Sequence, residues 1–94
     1  MRNYEVMTIY NIDLGEESAK KTSEEVQNLI KSLGGNVVNV DFWGKRKFAY
    51  EINHQEEGYY DVIKFDLSGD NIEVLKKKLN LMSSVIRYLI TALD

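Results

Sequence analysis

Residues Asn36 to Asn53 read NVVNVDFWGKRKFAYEIN, and the fold turns on what that run is. The β-branched Val37, Val38 and Val40, followed by the rings of Phe42, Trp43, Phe48 and Tyr50, favour extended backbone. A strand of 18 residues is about three times the mean length, and Gly44 is the natural place for a bend or bulge inside it. Gly34-Gly35 ends whatever precedes the run, and Asn53-His54-Gln55-Glu56-Glu57-Gly58 reads as the turn after it. The other extended segments are too short to pair with all of it. Its far half is therefore expected to project as a hairpin, carrying Lys45, Arg46 and Lys47 clear of the body. Cations fixed on a strand between aromatic rings suit phosphates and bases. A merely solvated strand surface is the competing reading.

Working outward, Tyr4 to Ile12 is rich in β-formers and apolar on both parities, as in a central strand covered on both faces. Ala19, Thr22 or Ser23, Val26, Leu29, Ile30 and Leu33 then recur at helical spacing. Beyond the long strand, Tyr59 to Leu67 alternates: Ile63, Phe65 and Leu67 point one way, Tyr60 and Val62 the other. Asp70 is placed to cap a second helix, with Glu73 as the reciprocal half of a capping box. Ile72, Leu75, Leu79 and Met82 form that helix's buried stripe, and Lys76, Lys77 and Lys78 its solvated face, favoured by the helix dipole. Val85 to Leu93 is a last strand. The order strand, helix, strand, strand, helix, strand with right-handed crossovers predicts an α+β fold, the ferredoxin-like β-α-β-β-α-β sandwich. It is a four-stranded antiparallel sheet with two helices on one face, and residues 1–94 make a single domain. The second sheet face stays open. Glu5, Met7, Ile9, Tyr60, Val62 and Leu89 are its candidates, and an apolar face of that kind is a partner surface.

Composition bounds the chemistry. The 94 residues are 44% hydrophobic and 29% charged, which is globular. No apolar run approaches the roughly 20 residues of a bilayer span, and the N-terminus has no signal-peptide core, so no membrane association is expected. Cysteine is absent and His54 is the single histidine, so neither a metal site nor a nucleophilic triad is expected, and no cofactor. His54 is expected in an exposed turn. A net charge of −3 argues against indiscriminate nucleic-acid binding. The charge is uneven, however. Asp13, Glu16, Glu17, Glu24 and Glu25 crowd the first helical region, whereas Arg2, Lys45, Arg46, Lys47, Lys64 and Arg87 fall on extended segments.

The RNA-recognition motif shares this element order and stacks bases on rings of its third strand. Here Tyr60 falls where a small residue is wanted, and Asp61 occupies a stacking position, where a carboxylate would repel phosphate. That motif does not match. The chain instead resembles bacterial small-subunit ribosomal protein S-six over essentially its whole length. The resemblance is carried by Arg2-x-Tyr4-Glu5-Val6, by Gly44-x-Arg46-x-Phe48-Ala49-Tyr50-x-Ile52 with Gly58-Tyr59, and by Val85-x-Arg87. Phe48 stands where leucine is commoner.

The resemblance implies a structural, non-enzymatic constituent of the small ribosomal subunit, located on ribosomes in the cytoplasm. It further implies binding to the central domain of small-subunit (16S) ribosomal RNA together with ribosomal protein S-eighteen, as a heterodimer, the isolated chain being a monomer. Arg2, Arg46 and Arg87 are the RNA-contact candidates by position. Lys45 and Lys47 share the charge but sit at variable places of the block. Met7, Ile9, Tyr60, Val62 and Leu89 are the partner-contact candidates. Strand directions put Arg2 at the end of the sheet remote from Arg46 and Arg87, so the three cannot form one patch. Either the RNA runs along the domain or Arg2 serves an ion pair, with Glu5 or Asp66. His54 stands where many relatives have lysine, and some relatives extend further than Asp94; both would lower affinity. Two other functions fit the fold. A regulatory or self-associating ferredoxin-like module would bind a small ligand or a second copy through the open face. An acyl-phosphate hydrolase would need an anion cradle after the first strand, and the acidic Asp13-Leu14-Gly15-Glu16-Glu17 is the opposite of one.

Overall fold

The computed structural model describes the backbone of residues 1–52 and 55–93, with side chains for 1–48 and 55–93. Its elements run β1 (Arg2–Asn11), α1 (Glu16–Ser32), β2 (Asn36–Ile52), β3 (Gln55–Leu67), α2 (Ile72–Asn80) and β4 (Val85–Ala92), with short 3-10 turns at Ile12–Leu14 and Gly69–Asn71. The strands form one sheet in the order β2-β3-β1-β4, and every neighbouring pair is antiparallel. This is the expected ferredoxin-like sandwich.

Parity decides the layers. In β1, Tyr4, Val6, Thr8 and Tyr10 are buried, and in β3 the same holds for Tyr59, Asp61, Ile63, Phe65 and Leu67. The apolar and aromatic ones among them meet Ala19, Val26 and Ile30 of α1 and Leu75 and Leu79 of α2 in a single core cluster, so both helices cover one face. Alternate residues Glu5, Met7, Tyr60 and Val62 lie on the opposite face.

The helix ends follow local chemistry. α1 opens with Glu16 and Glu17 against the positive end of its dipole. It closes in a Schellman pattern, with the Gly34 N–H donating to the Lys31 carbonyl and the Gly35 N–H to the Ile30 carbonyl. At α2 the expected capping box is absent. The Ser68 hydroxyl accepts from the Asp70 N–H, placing Asp70 inside a 3-10 turn, and Asn71 is the N-cap of α2. Glu73 is engaged instead with Lys76 at 3.3 Å. A serine two residues upstream won the competition for the chain's entry into the helix.

β3 begins at Gln55, four residues earlier than the expected Tyr59, so the segment read as a turn is still paired strand. Gln55 fixes that start by donating its Nε2 to Asn11 Oδ1 at 2.9 Å. Of the expected turn, Asn53 and His54 lie outside the described residues, and with them the expectation about His54. β1 ends opposite Gly58, so beyond that row only β2 and β3 continue as a hairpin. The cations are not all carried clear of the body, however: Lys45 and Arg46 pair with Tyr59 and Gly58, in rows that β1 still spans, and of the three Lys47 alone lies past them.

Candidate RNA and partner interface

β2 carries the candidate cations, and its register sets where they point. Pairing with β3 shifts between Val37 and Asn39 and again between Phe42 and Gly44. Each extra residue reverses the side-chain parity of the strand beyond it. Val37 opposes the buried Phe65, but from Asn39 to Phe42 the even-numbered residues face the helices: Phe42 opposes the buried Asp61 and stacks on Tyr59 at 6.4 Å. From Gly44 to Phe48, even-numbered residues face the open side. Gly44 opposes Tyr60 and Arg46 opposes Gly58, whereas Lys45 opposes the buried Tyr59 and Lys47 opposes Glu57. Gly44 adopts φ 82°, the left-handed conformation that a bulge asks of glycine. The bulge expected there exists, and it splits the three cations between two faces.

Arg87 joins Arg46. It opposes Ile9 on β4's side of β1, and Ile9 opposes Tyr60 on the other. One row across the open face therefore reads Arg87, Ile9, Tyr60, Gly44, with Arg46 two residues further along β2. Three strand spacings and one two-residue step separate the arginine Cα atoms by roughly 16 Å. Arg2 opposes Leu67, which puts it on the helix-facing parity and roughly 30 Å from Arg46 along the strands. It also has a partner within the chain.

The cations are differently engaged. Lys45 Nζ lies 3.9 Å from Glu57 Oε2 across the hairpin, a solvent-screened contact of small energetic weight. Arg46 donates Nη1 to the Lys45 carbonyl at 3.0 Å, which braces the guanidinium without neutralising it. Further down the open face, Lys64 stands opposite Glu5 in the ladder, so charges of both signs occur at that end.

The apolar candidates form the middle of the same face. Met7 sits between Val62 and Leu89 in the ladder. Met7, Tyr60 and Val62 are half-buried, and Leu89 is 61% exposed. Ile9 is only 7% exposed, because Phe48 closes over it. Both Ile9 Cγ2 and Phe48 Cζ come within 2.8 Å of where a Cβ on Gly58 would stand, so only glycine lets the ring lie on the sheet there. Phe48 in turn leans on Tyr60 at 6.0 Å and 51°. Trp43 stacks on Tyr60 at 6.2 Å and 4°. This row of three rings was not foreseen from alternation, which left Trp43 on neither face.

The rejected RNA-recognition pattern would put Asp61 at a stacking position on the sheet face, whereas it is fully buried on the helix side, with the parity of Ile63 and Phe65. Tyr10 donates its hydroxyl to Asp61 Oδ2 at 2.7 Å. Burial, with a minor contribution from Asp41, raises the Asp61 pKa above the ordinary carboxylate value against the pull of the Ser23 and Tyr10 hydroxyls. Burial and the neighbouring carboxylate push the Tyr10 phenol up as well. Tyr60, the ring that stood where a small residue was wanted, is the one on the open face.

Among the described residues no cluster of potential metal ligands occurs, and no helix is long and apolar enough to cross a membrane. The sequence model of the family Ribosomal protein S6 matches residues 3–92. Small ribosomal subunit protein bS6 of Caldanaerobacter subterraneus is 43% identical over 94 residues, 100% of this chain and 99% of that one. Its counterpart in Dictyoglomus turgidum is 40% identical over 94 residues, 100% of this chain and 97% of the other. The solved structure of 30S ribosomal protein S6 from Thermotoga maritima superposes with a TM-score of 0.93 at 33% identity, covering 98% of this chain and 87% of that one.

Proposed function

We infer, since this chain belongs to the ribosomal protein S6 family, that it is a structural, non-enzymatic constituent of the small ribosomal subunit and does its work on ribosomes in the cytoplasm. Its finer role is to bind the central domain of small-subunit ribosomal RNA together with ribosomal protein S-eighteen. The observation that carries this reading is the bulge at Gly44. It turns Arg46 onto the open face that already holds Arg87, so two strand-anchored guanidinium groups bracket the row of Ile9 and Tyr60, which continues into the apolar row of Met7, Val62 and Leu89. Guanidinium groups supply bidentate, permanently charged phosphate contacts. The apolar row beside them offers a second polypeptide a surface to cover. Lys45 and Lys47, on the other side of β2, add charge at the hairpin. Arg2 belongs to a separate contact, at the far end of the sheet.

Sedimentation of the chain alone, then with ribosomal protein S-eighteen and a central-domain RNA fragment, tests the reading. The expected outcome is a monomer that binds RNA weakly alone and tightly in the ternary mixture. A stable homodimer indifferent to RNA would favour a self-associating module. Arg46→Ala combined with Arg87→Ala should lower the slope of log affinity against log salt by about one unit per lost phosphate contact. A slope equal to that of the unsubstituted protein would remove both arginines from the RNA contact.

A further inference from the structure

Trp43 is the single tryptophan of the chain, and it is held in place from two directions. Its ring lies nearly parallel to Tyr60, and its Nε1 donates to Asp41 Oδ2 at 3.0 Å. Tyr60 is backed in turn by Phe48. Despite this, Trp43 remains 43% exposed. A large ring with its rotamer already fixed and much of its surface in water has little further entropy to lose when a flat ligand covers it.

The surroundings select the kind of ligand. Arg46 lies two residues along β2 from Gly44, the residue opposite Tyr60, about 7 Å away. Arg87 is two strands from Tyr60 in the same row, about 10 Å across the sheet. A π-face with a strand-anchored cation at one nucleotide's reach is the arrangement that receives an unpaired base and its phosphate. Asp41, beside the indole edge, disfavours a phosphate there but can accept from the exocyclic amino group of cytosine or adenine. The more exposed aliphatic surface, around Leu89, lies towards β4 and away from these rings.

We propose that Trp43, backed by Tyr60 and Phe48, is a stacking platform for an unpaired base of the ribosomal RNA, with Arg46 holding the adjacent phosphate. This rests on the proposed RNA-binding role and adds a base contact that the role does not require. The protein partner then occupies the Met7, Val62 and Leu89 half of the same face.

Trp43 reports on its own contact. With S-eighteen already bound, titrating the central-domain RNA fragment should quench the tryptophan emission. Trp43→Ala should weaken RNA affinity about tenfold or more with the salt slope unchanged, and Trp43→Phe should retain most of the affinity. Thermal melts of both variants check folding. Arg46→Ala should instead lower the salt slope. RNA binding with normal affinity in Trp43→Ala, or without quenching in the unsubstituted protein, would overturn the platform while leaving the RNA-binding role intact. Loss of S-eighteen affinity with RNA affinity preserved would assign the rings to the protein partner and overturn it as well. Failure of the unsubstituted ternary mixture to bind RNA would take down both.

Discussion

The carboxylate of Asp61, buried against the Tyr10 hydroxyl at 2.7 Å, changes what acid does to this protein. In the unfolded chain it titrates near its ordinary value of 3.8, and in the folded protein higher. Between the two values the folded state holds the proton and the unfolded state does not, so stability falls as pH rises through that window. Above it the buried charge is a constant burden. Asp61→Asn should remove this dependence, so the variant gains on the unsubstituted protein as pH rises from 3.8 towards neutral. Urea unfolding at stepped pH checks it, and a pH-independent difference would refute it. Tyr10→Phe strips the carboxylate of a donor and should cost about 2 kcal/mol. Combining it with Asp61→Leu should recover part of that loss, giving a coupling measurable in a double-mutant cycle. Alternation alone puts Asp61 on the face of Ile63 and Phe65, but the partner that makes a carboxylate tolerable there was not legible in the sequence, because it lies 51 positions away.

At the level of elements, the strands and helices could be read from periodicity, and so could the faces of β1 and β3. Val6 and Ile63 against Met7 and Val62 follow from simple alternation, because those two strands pair without interruption. The faces of β2 could not be read this way. Two register shifts ahead of the cations reverse its alternation, with a third beyond Lys47, and a glycine announces a bulge without saying which partner residue absorbs it. The α2 cap is ambiguous in sequence for a related reason: Ser68 and Asp70 both offer a capping oxygen, and in the fold the Ser68 hydroxyl takes the Asp70 N–H. Gly44→Ala meets open space apart from Glu16 Oε1 at 3.9 Å, so its penalty is conformational, about 1–2 kcal/mol for a non-glycine at positive φ. A thermal melt should show a drop of roughly 4–8 °C per kcal/mol for a domain of this size. Gly58→Ala acts by collision with Ile9 and Phe48 and with the Tyr10 carbonyl at 3.1 Å, so it should destabilise by about 1–3 kcal/mol. It should also disturb Trp43 emission through Phe48 and Tyr60; unchanged emission would show that the rings are not coupled.

For the whole molecule, the net charge of −3 conceals a division between layers. Glu16, Glu17, Glu24 and Glu25 are exposed on α1, behind the sheet, while Arg46 and Arg87 stand on the front. That segregation was visible in the sequence, because acidic and basic residues fall on different elements. That Arg46 is in front was not. Glu24→Lys with Glu25→Lys should tighten RNA binding at low ionic strength and change little near 0.15 M salt, where the screening length of about 8 Å is shorter than the ~10 Å thickness of a helix layer. Affinity measured across a salt series separates the two regimes. The bulge also has a geometric consequence. β2 is the border of the sheet, with Arg46 on its front and Lys45 and Lys47 on its back. A nucleic-acid strand that neutralises all three has to straddle that border, bending over it instead of lying flat. On the proposed RNA-binding role, the hairpin would then select curvature, a property of junctions and loops that a straight duplex lacks, whatever their base sequence.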